Sequence, residues 1–130
     1  MQEQRQHIRW RDVDSYGHVN NAVYLNYLEE CRDRWVTRVL GPDASFVIVR
    51  IEIDYRRELS LDDDEVLVTC RGIGYGSSSV RTQEHVYAKA GWLAAESQAV
   101  VVAHDPHTRK SRPLTDDERA RLDEAIAADE

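Results

Sequence analysis

Asp12 and Asp14 stand one residue apart, with Gly17, His18, Asn20 and Asn21 close behind them. Two acids at that spacing, followed by a glycine, do not fit the inside of a core. They read as a loop or strand end that delivers side chains to a site. A carboxylate so placed can act as general base toward water or as nucleophile toward an acyl carbonyl. It can equally serve a turn, because an aspartate side chain bonds readily to backbone two residues on; spacing alone leaves both readings of Asp14 open. Asn20 and Asn21 are helix-capping residues, and the free N–H groups of a first helical turn can polarise a carbonyl oxygen. His18 could contact a substrate, hold water, or hydrogen-bond within the loop. Asp12, Asp14 and His18 are metal-capable types, but their spacing matches no standard ligand set, and no metal site is expected.

The elements that must position these groups follow from periodicity. Arg5 to Trp10 reads as a short edge strand ending at the acidic loop. From Asn20 to Leu40 the apolar residues Tyr24, Leu28, Cys31, Trp35 and Val39 form one stripe of a 3.6-period helix, which Gly41-Pro42 stops. Glu30 and Arg34, four apart, are set for an ion pair on the other face. Ser45 to Tyr55 alternates as a half-buried strand, with Val47, Val49, Ile51, Ile53 and Tyr55 on one side. Val66 to Cys70, Val80 to Ala88 and Leu93 to His104 give three more strands. The last carries the small residues Ala95, Ser97, Ala99 and Ala103 on one face, which lets a helix lie close. Short turns make neighbouring strands antiparallel. The economical packing is an α+β fold: a curved antiparallel sheet wrapped around one long helix. Thr115 to Glu118 is a capping box for a polar helix over about 115–127, expected on the surface.

Residues 1–130 read as a single domain, 42% hydrophobic and 32% charged, with net charge −7. That acidity argues against nucleic acid or an anionic membrane as partner. No apolar run is long enough to enter a bilayer as a spanning helix. Cys31 and Cys70 lie within apolar patterns without metal-like spacing, and read as buried thiols of a reducing, cytoplasmic compartment.

The run D-x-D-x-x-G-H-V-N-N-x-x-Y-x-x-Y-x-E-x-x-R occurs here as Asp12, Asp14, Gly17, His18, Val19, Asn20, Asn21, Tyr24, Tyr27, Glu29 and Arg32. It resembles the first motif of the hotdog-fold acyl-CoA thioesterases of the 4-hydroxybenzoyl-CoA thioesterase type. The resemblance implies the hotdog fold, with Asp14 as catalytic carboxylate. It implies the backbone N–H of Asn21 as oxyanion donor, with Gly17 and His18 helping to polarise the substrate. Ser77, Ser78 and Ser79 resemble the family's Ser/Thr-rich strand start that faces the active site across a dimer interface. Tyr24 would line the acyl path. Arg81, with Lys89, Arg109, Lys110 and Arg112, would be available to coenzyme A phosphates. A homo-oligomer, dimer or tetramer, is implied, and no cofactor beyond the coenzyme A of the substrate. Branches with aromatic substrates carry a proline after the second acid; here Ser15-Tyr16-Gly17 favours a general acyl-CoA. The alternatives are a hotdog enoyl-CoA hydratase and a non-catalytic acyl-CoA or acyl-carrier-protein binding module.

Overall fold

The computed structural model describes all residues, 1–130. In chain order the elements are β1 (Gln2–His7), α1 (Asn21–Leu40), β2 (Phe46–Tyr55), β3 (Glu65–Tyr75), β4 (Ser79–Ala88), β5 (Leu93–Asp105), β6 (Lys110–Ser111) and α2 (Asp116–Ala128). The sheet is antiparallel with spatial order β1-β3-β4-β5-β2, and β6 pairs with the end of β5.

Asn20 caps α1: its backbone is extended and its side-chain oxygen accepts the Ala22 N–H at 2.9 Å. Gly41, at φ 98°, ends the helix in a conformation that side-chain-bearing residues rarely adopt. The stripe of Tyr24, Leu28, Cys31, Trp35 and Val39 is buried along its length, against β1, β3 and β4. Gly72 on β3 makes the closest approach possible, since a Cβ there would meet Trp35 Cζ2 at 2.6 Å. Both cysteines are free and buried, as expected, and burial pushes the Cys31 thiol up to about 12.

Several expectations need correction. The first strand is Gln2–His7 rather than Arg5–Trp10, and Trp10–Asp12 forms a 3-10 turn. β2 does not pair with β3, its successor in sequence; it crosses to the far edge beside β5. A bulge between Ile48 and Arg50 breaks its alternation, so Val47, Ile48 and Val49 are 41%, 49% and 59% exposed. Glu30 bonds Gln4 and Gln6 of β1 rather than Arg34. The C-terminal helix is no free surface element. Leu122 is fully buried, Arg112 clamps Glu118 through two bonds, and Ile126 reaches Gly72 on the face where α1 lies.

One buried ion pair joins helix to sheet. Arg32 of α1 donates to Glu84 of β4 through Nε at 2.7 Å and Nη2 at 3.0 Å. The hydroxyls of Thr82 and Ser97 each donate to the same carboxylate at 2.9 Å. Glu84 is fully buried and Arg32 is 4% exposed. Glu84→Gln keeps the shape but leaves a buried guanidinium without its counter-charge. Chemical denaturation is expected to show a loss of about 3–5 kcal/mol, the range for breaking one side of a buried pair.

Candidate active site

The acidic loop is a small closed structure between β1 and α1. Asp12, 1% exposed, is its anchor. Its carboxylate accepts the Arg9 N–H at 2.9 Å, the Arg9 Nε–H at 3.1 Å and the Tyr27 hydroxyl at 2.8 Å. Its carbonyl accepts the Asn20 N–H at 2.9 Å, which closes the loop at the helix cap. Burial pushes the Asp12 carboxyl up, but the hydrogen bonds and charge of Arg9 and the bond from Tyr27 outweigh it, so the net position is below the usual carboxylate range. Between these ends Val13 pairs with Val19, and the Asp14 N–H reaches the His18 carbonyl at 2.8 Å. The Val19 N–H bonds the Leu59 carbonyl at 2.8 Å, which fastens the loop to the segment after β2. Gly17 makes the reversal at φ 85°.

Asp14 stands exposed at the tip. Its Oδ1 accepts the N–H groups of Tyr16 at 2.9 Å and His18 at 3.2 Å, while its Oδ2 has no partner. The turn thus uses one oxygen of the carboxylate and leaves the other open to the cleft. The Asn21 N–H, first in α1, is donated to no atom of the chain, and the Asn21 carbonyl accepts the Tyr55 hydroxyl at 3.0 Å. Asp14, His18, Asn21 and Tyr24 line one cleft of about 470 Å³, together with Tyr55, Arg56, Arg57 and Glu58. Gly17 lies beside a second cleft of about 400 Å³ that shares Asp14 and is walled by Trp10 and Leu61. His18 Nε2 faces Glu58 at 3.1 Å. Tyr24 is buried, edge-on to Tyr55 at 5.1 Å, with its hydroxyl oxygen accepting the Leu59 N–H at 3.4 Å. No three His, Cys, Asp or Glu side chains are gathered as a metal-holding group.

Other candidates lie elsewhere. Ser77 and Ser78 lie in the β3–β4 turn and Ser79 opens β4; the carbonyls of Ser77 and Ser78 accept the N–H groups of Leu114 and Ala103. The acidic loop sits by the opposite ends of those strands, so within one chain the serines and Asp14 lie at opposite ends of β3. Arg81 packs over Gly74 beside that turn; Lys89 is paired with Asp64 and Arg112 with Glu118. Sequence reasoning missed Tyr55, Arg56, Arg57 and Glu58. Nothing in their spacing marks them; the pairing of Leu59 with Val19 and of Ser60 with His18 brings them to the loop. A separate apolar groove of about 750 Å³ runs between α1 and β2, lined by Leu25, Val36, Phe46, Ile48 and Ile51, with Arg32 among its wall residues.

A family model described as the thioesterase-like superfamily matches residues 8–128. The long-chain acyl-CoA thioesterase FadM of Escherichia coli (strain K12) is 30% identical over 128 residues, covering 92% of this chain and 95% of its own. A thioesterase from Thermus thermophilus, solved with coenzyme A and Zn, superposes with TM-score 0.88 at 38% identity, covering 97% of this chain and 94% of that one. A predicted thioesterase from Bacillus stearothermophilus gives TM-score 0.86 at 26% identity, with 95% of each chain covered.

The Asp12 anchor has a measurable pH signature. Its lowered folded-state position means it stabilises the fold above the ordinary carboxylate range and loses that contribution as pH falls through it. Asp12→Asn is expected to cost about 1.5–3 kcal/mol near neutrality, the range for hydrogen bonds to a charged group. The gap between wild type and variant in urea unfolding closes below a pH of about 4.

Proposed function

The chain belongs to the thioesterase-like superfamily and hydrolyses acyl-CoA thioesters, and we propose that it does so with the Asp14 carboxylate against a carbonyl polarised by the start of α1. One observation carries this assignment: the unpartnered Asp14 Oδ2 and the unpartnered Asn21 N–H line the same cleft. A thioester carbonyl oxygen at the Asn21 N–H, at the positive end of α1, gains stabilisation as it becomes an oxyanion. Asp14 either takes a proton from the attacking water or attacks the carbonyl carbon itself. Collapse of the tetrahedral intermediate expels the coenzyme A thiolate; water supplies the second carboxylate oxygen of the product and a proton for the thiol. This chemistry asks for no cofactor, because a thiolate leaves readily and a carboxylate with an oriented N–H suffices. Gly17 and His18 shape the loop around the carboxylate, and Tyr24 closes the cleft floor.

A long acyl chain is the reading best supported for the substrate. The apolar groove along the α1–β2 seam, distinct from the cleft, offers room for such a chain, and the FadM relative is a long-chain acyl-CoA thioesterase. The curled sheet around α1 is the hotdog arrangement, in one unit of 130 residues. Buried, unpaired thiols support a cytoplasmic location.

The active form is a homo-oligomer, dimer or tetramer, with β2 as the joining edge. Its outer backbone is unpaired and its exposed residues Val47, Ile48 and Val49 are apolar, a combination that monomers avoid. Antiparallel pairing of two β2 strands sets the Phe46 end of one beside the Tyr55 end of the other. Ser79 and Phe46 lie at the same end of the sheet, through Val102 and Ala103. Such a dimer therefore brings Ser77–Ser79 and Arg81 of one subunit toward the Asp14 cleft of the other.

Asp14→Asn retains the turn geometry and removes the reacting charge. Turnover of a long-chain acyl-CoA is expected to fall by about 10²–10⁴-fold, the usual worth of general base assistance, with binding of a thioether analogue preserved. Near wild-type kcat in this variant would refute the assignment. Ile48→Lys places a charge on the joining edge; light scattering is expected to show a monomer with little hydrolase activity, and an active monomer would remove the composite site.

A further inference from the structure

The cleft at Asp14 contains two arginines in different circumstances. Arg56 Nη2 is held by Glu96 at 3.1 Å and Asp54 at 3.4 Å. Arg57 has no carboxylate partner and no side-chain hydrogen bond. Its guanidinium lies over the Trp92 ring, 4.2 Å from the centroid, in the turn joining β4 to β5. The N–H groups of Arg56 and Arg57 bond the Ala94 carbonyl at 2.8 and 3.1 Å, so the backbone beneath both is fixed. Stacking on an indole occupies the face of a guanidinium and leaves its in-plane N–H fork available, already oriented. In a chain of net charge −7, whose cleft also holds Asp14 and Glu58, a fixed arginine without a counter-charge is a vacant anion seat.

We propose that Arg57 takes a phosphate of the substrate's thiol carrier, an assignment that rests on the thioesterase reading above. Arg57 is two residues from Leu59, whose carbonyl holds the loop, and its side chain extends away from the loop toward Trp92. The thioester sits between Asp14 and Asn21, the pantetheine arm runs along the cleft wall, and a phosphate ester meets the guanidinium fork through charge-assisted bonds. Arg56 is already committed to Glu96 and Asp54, which leaves Arg57 as the uncommitted arginine of this cleft. The chemistry recognised is a phosphate monoester or diester, which coenzyme A and a phosphopantetheine arm share.

The test compares one long-chain acyl group carried on coenzyme A, on 4′-phosphopantetheine and on pantetheine. For Arg57→Ala, kcat/KM for the phosphate-bearing thioesters is expected to fall by about tenfold to a hundredfold, mainly through KM, as for loss of a hydrogen bond to a charged group. The preference over the pantetheine ester should collapse accordingly. Collapse already with phosphopantetheine places Arg57 on the 4′-phosphate, and collapse with coenzyme A alone places it on a nucleotide-end phosphate; either supports the assignment. Equal loss on all three thioesters, or no loss on any, overturns it. Asp14→Asn, run in parallel, is expected to lower all three alike, so a failure at Arg57 leaves the hydrolase reading standing. A wild-type protein that cleaves none of the three overturns both.

Discussion

The contact on which the arrangement depends is the buried pair of Arg32 and Glu84. Removing two charges from water is costly, and such a pair seldom adds net stability over well-packed apolar side chains. Its consequence here is register. Glu84 receives the Arg32 fork, Thr82 from its own strand and Ser97 from the next, so its lone pairs are filled only in one alignment of α1, β4 and β5. A one-residue slip of β4 would turn Glu84 to the outer face and leave Arg32 buried alone. The helix is thereby fixed along its axis as well as in rotation, and with it the position of its N-terminus.

That fixed N-terminus gives the acidic loop something to be measured against. Asp12 closes the loop onto Asn20, the residue that also caps α1, so the loop and the first free N–H of the helix share a frame. Asp14 then spends one oxygen on its own turn and presents the other to the cleft. The division of labour between the acids follows from burial. Asp12, enclosed and held by Arg9 and Tyr27, is a structural anion, whereas Asp14 is open to the cleft and can meet a substrate.

The far side of the same architecture is less self-sufficient. β2 leaves the sequence-adjacent strand to cover β5, carries a bulge at its midpoint and ends the sheet with an apolar, unpaired edge. The groove beneath that edge opens along α1. α2, by contrast, is bound into the body by Leu122 and by the Arg112–Glu118 clamp, so a helix rich in charge still contributes to the core.

The sequence by itself determined the elements whose signals are local. The 3.6-residue apolar stripe from Tyr24 to Val39, the cap at Asn20, the stop at Gly41 and the capping box at Thr115 were all readable, because each depends on neighbours within a turn or two. The motif from Asp12 to Arg32 marked the loop for the same reason. Tertiary structure decided what depends on partners distant in the chain. Alternation made β2 a half-buried strand, but whether its apolar residues are covered depends on where it sits in the sheet, and it forms an edge. Glu84 lies on the buried face of β4 with Val80, Thr82 and Val86. Only the approach of Arg32, 52 residues away, explains a carboxylate there. Glu30 and Arg34 had the right spacing to pair, yet the glutamines of β1 offered Glu30 better-placed donors. The cleft residues from Tyr55 to Glu58 carry no signal of their own, because a site wall is made by chain crossing and not by spacing.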